Sequence, residues 1–86
     1  MAFVIKFYAD PGHGWGAVKR KVLDQLGISD KITAYSYQKG GTVYLEEDLD
    51  LNTLVQALKA QGHTVEFKEK HTNRYSPIRS YDNFKA

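Results

Sequence analysis

The residues best equipped for chemistry are the cations that close this chain. Lys68, Lys70, His71, Arg74 and Arg79 are interleaved with Tyr75 and Tyr81 and with the hydroxyls of Thr72, Ser76 and Ser80. Guanidinium forks and hydroxyls grip phosphate oxygens, and aromatic faces stack on bases. Tyrosine and arginine also dominate the hot spots of protein interfaces. The sequence therefore predicts a contact patch of Arg74, Tyr75, Arg79 and Tyr81, flanked by Lys68 and Lys70. The plainer alternative is a tail that covers a sheet and leaves its cations in water.

A second candidate is the glycine-dense stretch Asp10–Gly16, in which Gly12, His13, Gly14 and Trp15 could form a ligand loop. Glycine amides can face an anion, His13 can donate to it, and Trp15 can stack on a ring. The stretch has no Walker lysine at the required spacing and is not a dinucleotide fingerprint. Its structural alternative is a turn with Trp15 anchoring the core. His13, His63 and His71 have no ligand partner at i+3 or i+4, so the sequence points to no metal and no cofactor. Glu46, Glu47, Asp48 and Asp50 could in principle serve acid–base or cation chemistry, but they read best as charges that complement a helix dipole. Tyr35, Tyr37 and Tyr44 are expected on one exposed face of a hairpin, where aromatic rings can stack on bases or simply favour a strand.

These residues need a scaffold, and the pattern supplies one. Two alternating runs flank Gly40-Gly41 in AYSYQKGGTVYLEE, which predicts a hairpin over Ala34–Glu47. Phe3, Ile5 and Phe7 alternate with Val4, Lys6 and Tyr8, so Ala2–Tyr8 reads as a first strand and not as a signal peptide. Val18, Val22, Leu23 and Leu26 before Gly27 predict a short helix over Lys19–Leu26 that lacks a side-chain cap. Its first turn would carry Lys19-Arg20-Lys21, the unfavourable end for positive charge, so something must compensate them. Leu51, Leu54, Val55 and Leu58 form an amphipathic stripe over Leu51–Gln61, with Asp50 as its expected N-cap and Gly62 as its stop. His63–Lys70 alternates again as a last strand.

The expected fold is a single domain over residues 1–86. An α+β body over 1–70 would hold about four strands in a mostly antiparallel sheet, with two short helices packed on one face. The aromatic and basic tail over 71–86 would pack on that body or on a partner. The 86 residues include 42% hydrophobic and 13% aromatic side chains, enough for a core. The chain has no cysteine, which excludes disulfides and thiolate chemistry. No apolar run approaches the roughly 20 residues that cross a bilayer, so no membrane partner is expected. A formal net charge of +2 leaves nucleic acid open as a partner without requiring it.

FYADPGHGW, LGISDKITAYSY, VYLEEDLDL and SPIRSYDNF together resemble a family of small uncharacterised proteins encoded by bacteriophages and other mobile elements. The resemblance implies an accessory protein at work in the cytoplasm of a bacterial host. Small phage accessory proteins often act by stoichiometric binding. No nucleophile stands with a base and an orienting partner, so no enzyme is expected. The leading expectation is inhibition of a host protein or protein–nucleic acid complex, such as a CRISPR-type defence. The alternatives are an oligomeric sponge that sequesters a phosphorylated nucleotide signal, and a direct nucleic-acid-binding module. A homo-oligomer is expected of the sponge, and inhibition of a protein does not require one.

Overall fold

The computed structural model describes residues 2–86. In chain order its elements are β1 (Ala2–Ala9), β2 (Gly14–Lys19), α1 (Arg20–Leu26), β3 (Tyr37–Lys39), β4 (Thr42–Glu46), α2 (Asp50–Ala60), β5 (Thr64–His71) and β6 (Asp82–Asn83). Short 3-10 turns lie at Ser29–Lys31 and Pro77–Ser80. Among the described residues six strands form one sheet in the order β5-β1-β2-β4-β3-β6. β1 and β5 run parallel, and the other neighbouring pairs are antiparallel. The α+β class stands, and the expected count of about four strands is corrected to six.

The two strands missed by sequence are β2 and β6. β2 was hidden by its glycines, because Gly14 and Gly16 belong to the run expected as a loop. They are needed for close approach. A Cβ on Gly14 would lie 2.3 Å from the Phe7 ring, and one on Gly16 would lie 2.5 Å from Leu51 Cδ1. Glycine here trades strand propensity for a ring and a helix seated directly on the backbone. β6 is only two residues long and exists because the tail returns to pair Asn83 with Tyr37 and Asp82 with Gln38.

Alternation decides which face is dry. Ile5, Val18, Val43 and Leu45 point from the sheet toward Leu23 of α1 and Leu51, Leu54 and Leu58 of α2. Ile28, Ile32 and Phe84 close the same core. Val18 is therefore a strand residue, not part of the α1 stripe. Phe84 is 3% exposed, so the tail expected to pack somewhere ends inside the main core. Burying a side chain of that size stabilises by about 1.5–3 kcal/mol.

Arg20 secures this return. It opens α1 with no side-chain cap before it, as expected. Its guanidinium donates to Gln38 Oε1 at 3.0 Å and to the Lys85 carbonyl at 2.6 Å, and sits 5.0 Å from the Phe84 ring centre. The compensation expected for this cation comes from carbonyl oxygens and a ring.

Helix α2 corrects another expectation. Asp50 is its first residue and does not cap it. The Glu46 carboxylate does that, accepting from the amides of Asp48, Leu49 and Asp50. Asp50 is buried and accepts instead from the Thr33 amide, from Thr33 Oγ1 at 2.7 Å and from Ser36 Oγ at 2.5 Å. Those bonds bend residues 33–36 away from extended structure, so the first hairpin arm begins at Tyr37 and Tyr35 is left exposed. The turn between β3 and β4 is the expected two-residue Gly40-Gly41, with Gly40 at φ +58°.

Candidate binding surface

The face of the sheet opposite the helices carries the candidate site, and it divides into two parts. At one end the tail crosses it and is latched by a single carboxylate. Asp10 follows β1 and is 5% exposed. Its Oδ1 accepts from the amides of Gly12 at 3.0 Å and His13 at 2.9 Å, and from Arg79 Nη2 at 3.0 Å. Its Oδ2 accepts from the Ser76 amide at 3.0 Å and Arg79 Nε at 2.7 Å. The side-on guanidinium fork, with help from these amides, holds the Asp10 carboxyl far below the usual carboxylate range. The same pairing raises Arg79.

The Arg79 guanidinium also lies 5.5 Å from the Trp15 ring centre and 4.8 Å from that of Tyr75. A cation between two aromatic rings is attracted by both. Trp15 is 2% exposed beneath it and Ile78 is 3% exposed beside it. The sequence marked Arg79 as a ligand-gripping cation. In the structure its Nε and Nη2 are given to Asp10.

In the glycine-dense stretch, read as a loop whose glycine amides and His13 could donate to an outside anion, the Gly12 and His13 amides are given to Asp10, and the Asp10 amide donates to the His13 carbonyl at 2.8 Å. Gly14 and Trp15 belong to β2. His13, Trp15, Tyr35, Tyr37, Glu46 and Arg79 border a hollow of about 190 Å³ above the latch. That is smaller than the usual pocket for a drug-sized ligand. Among the described residues no three His, Asp or Glu side chains converge as metal ligands would.

The other part of the face is open and cationic. The strand registers set Lys68 beside Lys6, and Lys6 across from Ala17, Tyr44 and Tyr37 in successive strands. They set Lys70 beside Tyr8, and Lys19 across from Thr42 and Lys39. Among the described residues the Asp10–Arg79 contact is the ion pair found within 4.0 Å, so these five lysines have no carboxylate partner. Glu66 shares the face beside Val4, and Glu46 is turned to α2.

Like charges directly across a sheet cost roughly 0.2–1 kcal/mol. Lys6 and Lys68 accept that cost. Between them and the hairpin runs a trough of about 450 Å³ bordered by Val4, Lys6, Tyr8, Ala17, Lys19, Thr42 and Tyr44, which reaches Phe3, Val18 and Val22 of the helix side. The rings of Tyr8, Tyr44 and Tyr81 follow one another at 6.2 and 5.2 Å between centres. Burial and the adjacent Tyr81 and Tyr8 phenols push the Tyr44 phenol up, so it stays neutral. Lys39 Nζ lies 4.8 Å from the Tyr81 ring centre.

The residues expected to form one patch are thus separated. Arg79 and Tyr75 join the latch, and Arg74 is exposed on the segment before it. Tyr81 joins the tyrosine row, while Lys68 and Lys70 stand on the edge strand. Of the hairpin tyrosines, Tyr37 and Tyr44 are cross-strand partners, and Tyr35 lies outside the strand. Sequence reasoning missed Lys6, Tyr8 and Lys19 as surface partners. Their only signal was the polar phase of an apolar strand and one lysine before a helix. Comparison with protein-family models, with curated proteins and with solved structures finds no match to this chain.

Proposed function

We propose that this chain is a non-enzymatic accessory protein of phage type that acts by stoichiometric binding inside a bacterial cell. Its target is the nucleic-acid component of a host protein–nucleic acid complex, a defence complex among the candidates. The observation that carries this reading is the open face of five lysines without carboxylate partners, interleaved with Tyr8, Tyr44 and Tyr81. Ammonium groups neutralise phosphates, and tyrosine faces stack on unpaired bases without demanding a sequence. A sheet face with partly exposed rings suits a single strand better than a duplex groove.

Affinity capture from a bacterial host with the tagged full chain tests this reading. Captured material should contain nucleic acid and should be released by nuclease and by raised salt. Capture of protein alone that survives both treatments would contradict it.

A second reading is sequestration of a phosphorylated nucleotide. The hollow bordered by His13, Trp15, Tyr35, Tyr37, Glu46 and Arg79 supports it, because aromatic rings line one space beside Arg79, whose Nη1 is not bonded to Asp10. Native mass spectrometry of gently purified protein should then find a discrete nucleotide mass on each assembly. Protein free of any such mass contradicts the sponge.

A further inference from the structure

Among the described residues strand β5 ends the sheet with one side unpaired over its eight residues, Thr64–His71. Free strand edges are templates for another strand, and proteins usually blunt them with a bulge, a proline, a covering loop or repelling charge. β5 has no proline, and all of its residues except Val65 are exposed. Its charges alternate in sign along Glu66, Lys68, Glu69 and Lys70.

We infer that β5 pairs antiparallel with β5 of a second copy of this chain, in the register that sets Phe67 opposite Phe67. The argument is one of charge and parity. A two-fold axis perpendicular to the sheet keeps the helix side of both copies together, so only residues on the same face can stand opposite each other. In the Phe67-centred register Glu66 faces Lys68 of the second copy and Lys68 faces Glu66. Lys70 faces Thr64, and Glu69 faces Val65. Like charges are never opposite. Shifting by one allowed step brings Lys68 against Lys68 or Glu66 against Glu66; a further step brings Glu69 against Glu69 in one direction and in the other leaves only Thr64–Glu66 of the strand paired.

Two further features of the edge fit this occupant. Phe67 is 50% exposed, held edge-on by Phe7 at 6.2 Å, and it opens on an apolar hollow of about 250 Å³ lined by Phe7, Leu51, Phe67 and Glu69. A second Phe67 covers this ring with a ring. Glu66 of the second copy also places a negative charge beside Lys68, whose neighbour within the chain is Lys6. The assembly is one continuous sheet with both open faces on the same side, leaving Lys6, Lys19 and Lys70 of each copy free. This inference does not rest on the nucleic-acid reading, since its readout needs no ligand.

Sedimentation velocity of the full chain over a concentration series tests it. A monomer–dimer equilibrium is expected, and a purely monomeric chain up to about 1 mM, the weak end of specific affinities, overturns it. Lys68→Glu and Glu66→Lys are exposed substitutions that should each leave the circular dichroism spectrum unchanged and shift the protein to monomer. Mixing the two variants should restore a dimer, because each then offers the charges that the other needs. Dimers that persist in either single variant, or a mixture that stays monomeric, assign the contact elsewhere. Should a variant lose its fold, amide exchange of the unaltered chain decides the matter. Protection along β5 should rise with protein concentration, and concentration-independent exchange there overturns the proposal.

Discussion

The two ends of the open sheet face treat positive charge in opposite ways. At the latch, Arg79 is paired with Asp10, lies between Trp15 and Tyr75, and holds down the turn that buries Ile78. Along β5, β1 and β2, Lys68, Lys6 and Lys19 stand in the open, with no carboxylate within 4.0 Å among the described residues. The first arrangement spends its cation on the fold. The second leaves cations where they repel one another and gain nothing from the folded chain alone. The difference separates charge used by the fold from charge left free of it, although both ends set cations among aromatic rings.

The comparison breaks most visibly if the tail is not anchored. Phe84→Ala removes a buried ring from the main core and should destabilise the protein by about 3–5 kcal/mol in urea unfolding. A loss below about 1 kcal/mol would mean that the tail contributes little to the core.

Asp10→Asn is expected next. It keeps the shape of the latch but removes the charge that Arg79 faces, so amide protection should fall at Ser76, Ile78 and Tyr81 while the helix-side core stays protected. The pH dependence follows from the depressed Asp10 carboxyl. The folded chain keeps it ionised where the unfolded chain would protonate it, so its contribution is complete above the ordinary carboxylate range. That contribution declines as pH falls below about 4. The gap in unfolding midpoint between wild type and Asp10→Asn should therefore be full at pH 7 and narrow toward pH 2. A constant gap would contradict the ionic latch.

Lys6→Gln sharpens the comparison from the other end. It relieves the repulsion with Lys68 and should leave stability unchanged or raise it by up to about 1 kcal/mol, while weakening the hold on nucleic acid. A clear loss of stability would place Lys6 among the structural charges.

How far the sequence foretold this arrangement depended on the range of the interactions. Helix α2 was legible because Leu51, Leu54 and Leu58 repeat with the helical period, and β1 because Phe3, Ile5 and Phe7 alternate. β2 was not, because Gly14 and Gly16 answer to Phe7 and Leu51, residues that are distant in the chain. Asp50 looked like a cap by position, yet its hydroxyl partners lie 14 and 17 residues away. The same holds for the site. Arg79 and Lys68 read alike as cations of one patch, and the meeting of Asp10 with Arg79, 69 residues apart, tells them apart. Lys6 and Lys68 become neighbours through a parallel pairing that neither strand announces.

The most direct measurement is the salt dependence of binding to a labelled single-stranded oligonucleotide, with wild type beside Lys6→Glu/Lys19→Glu and Arg74→Ala. Wild-type affinity should fall steeply and log-linearly with salt. The double reversal should lose most of that affinity and flatten the slope, and Arg74→Ala should stay near wild type. Absent or salt-insensitive binding to both DNA and RNA, or a loss confined to Arg74→Ala, would contradict the assignment of the open lysine face as the contact surface.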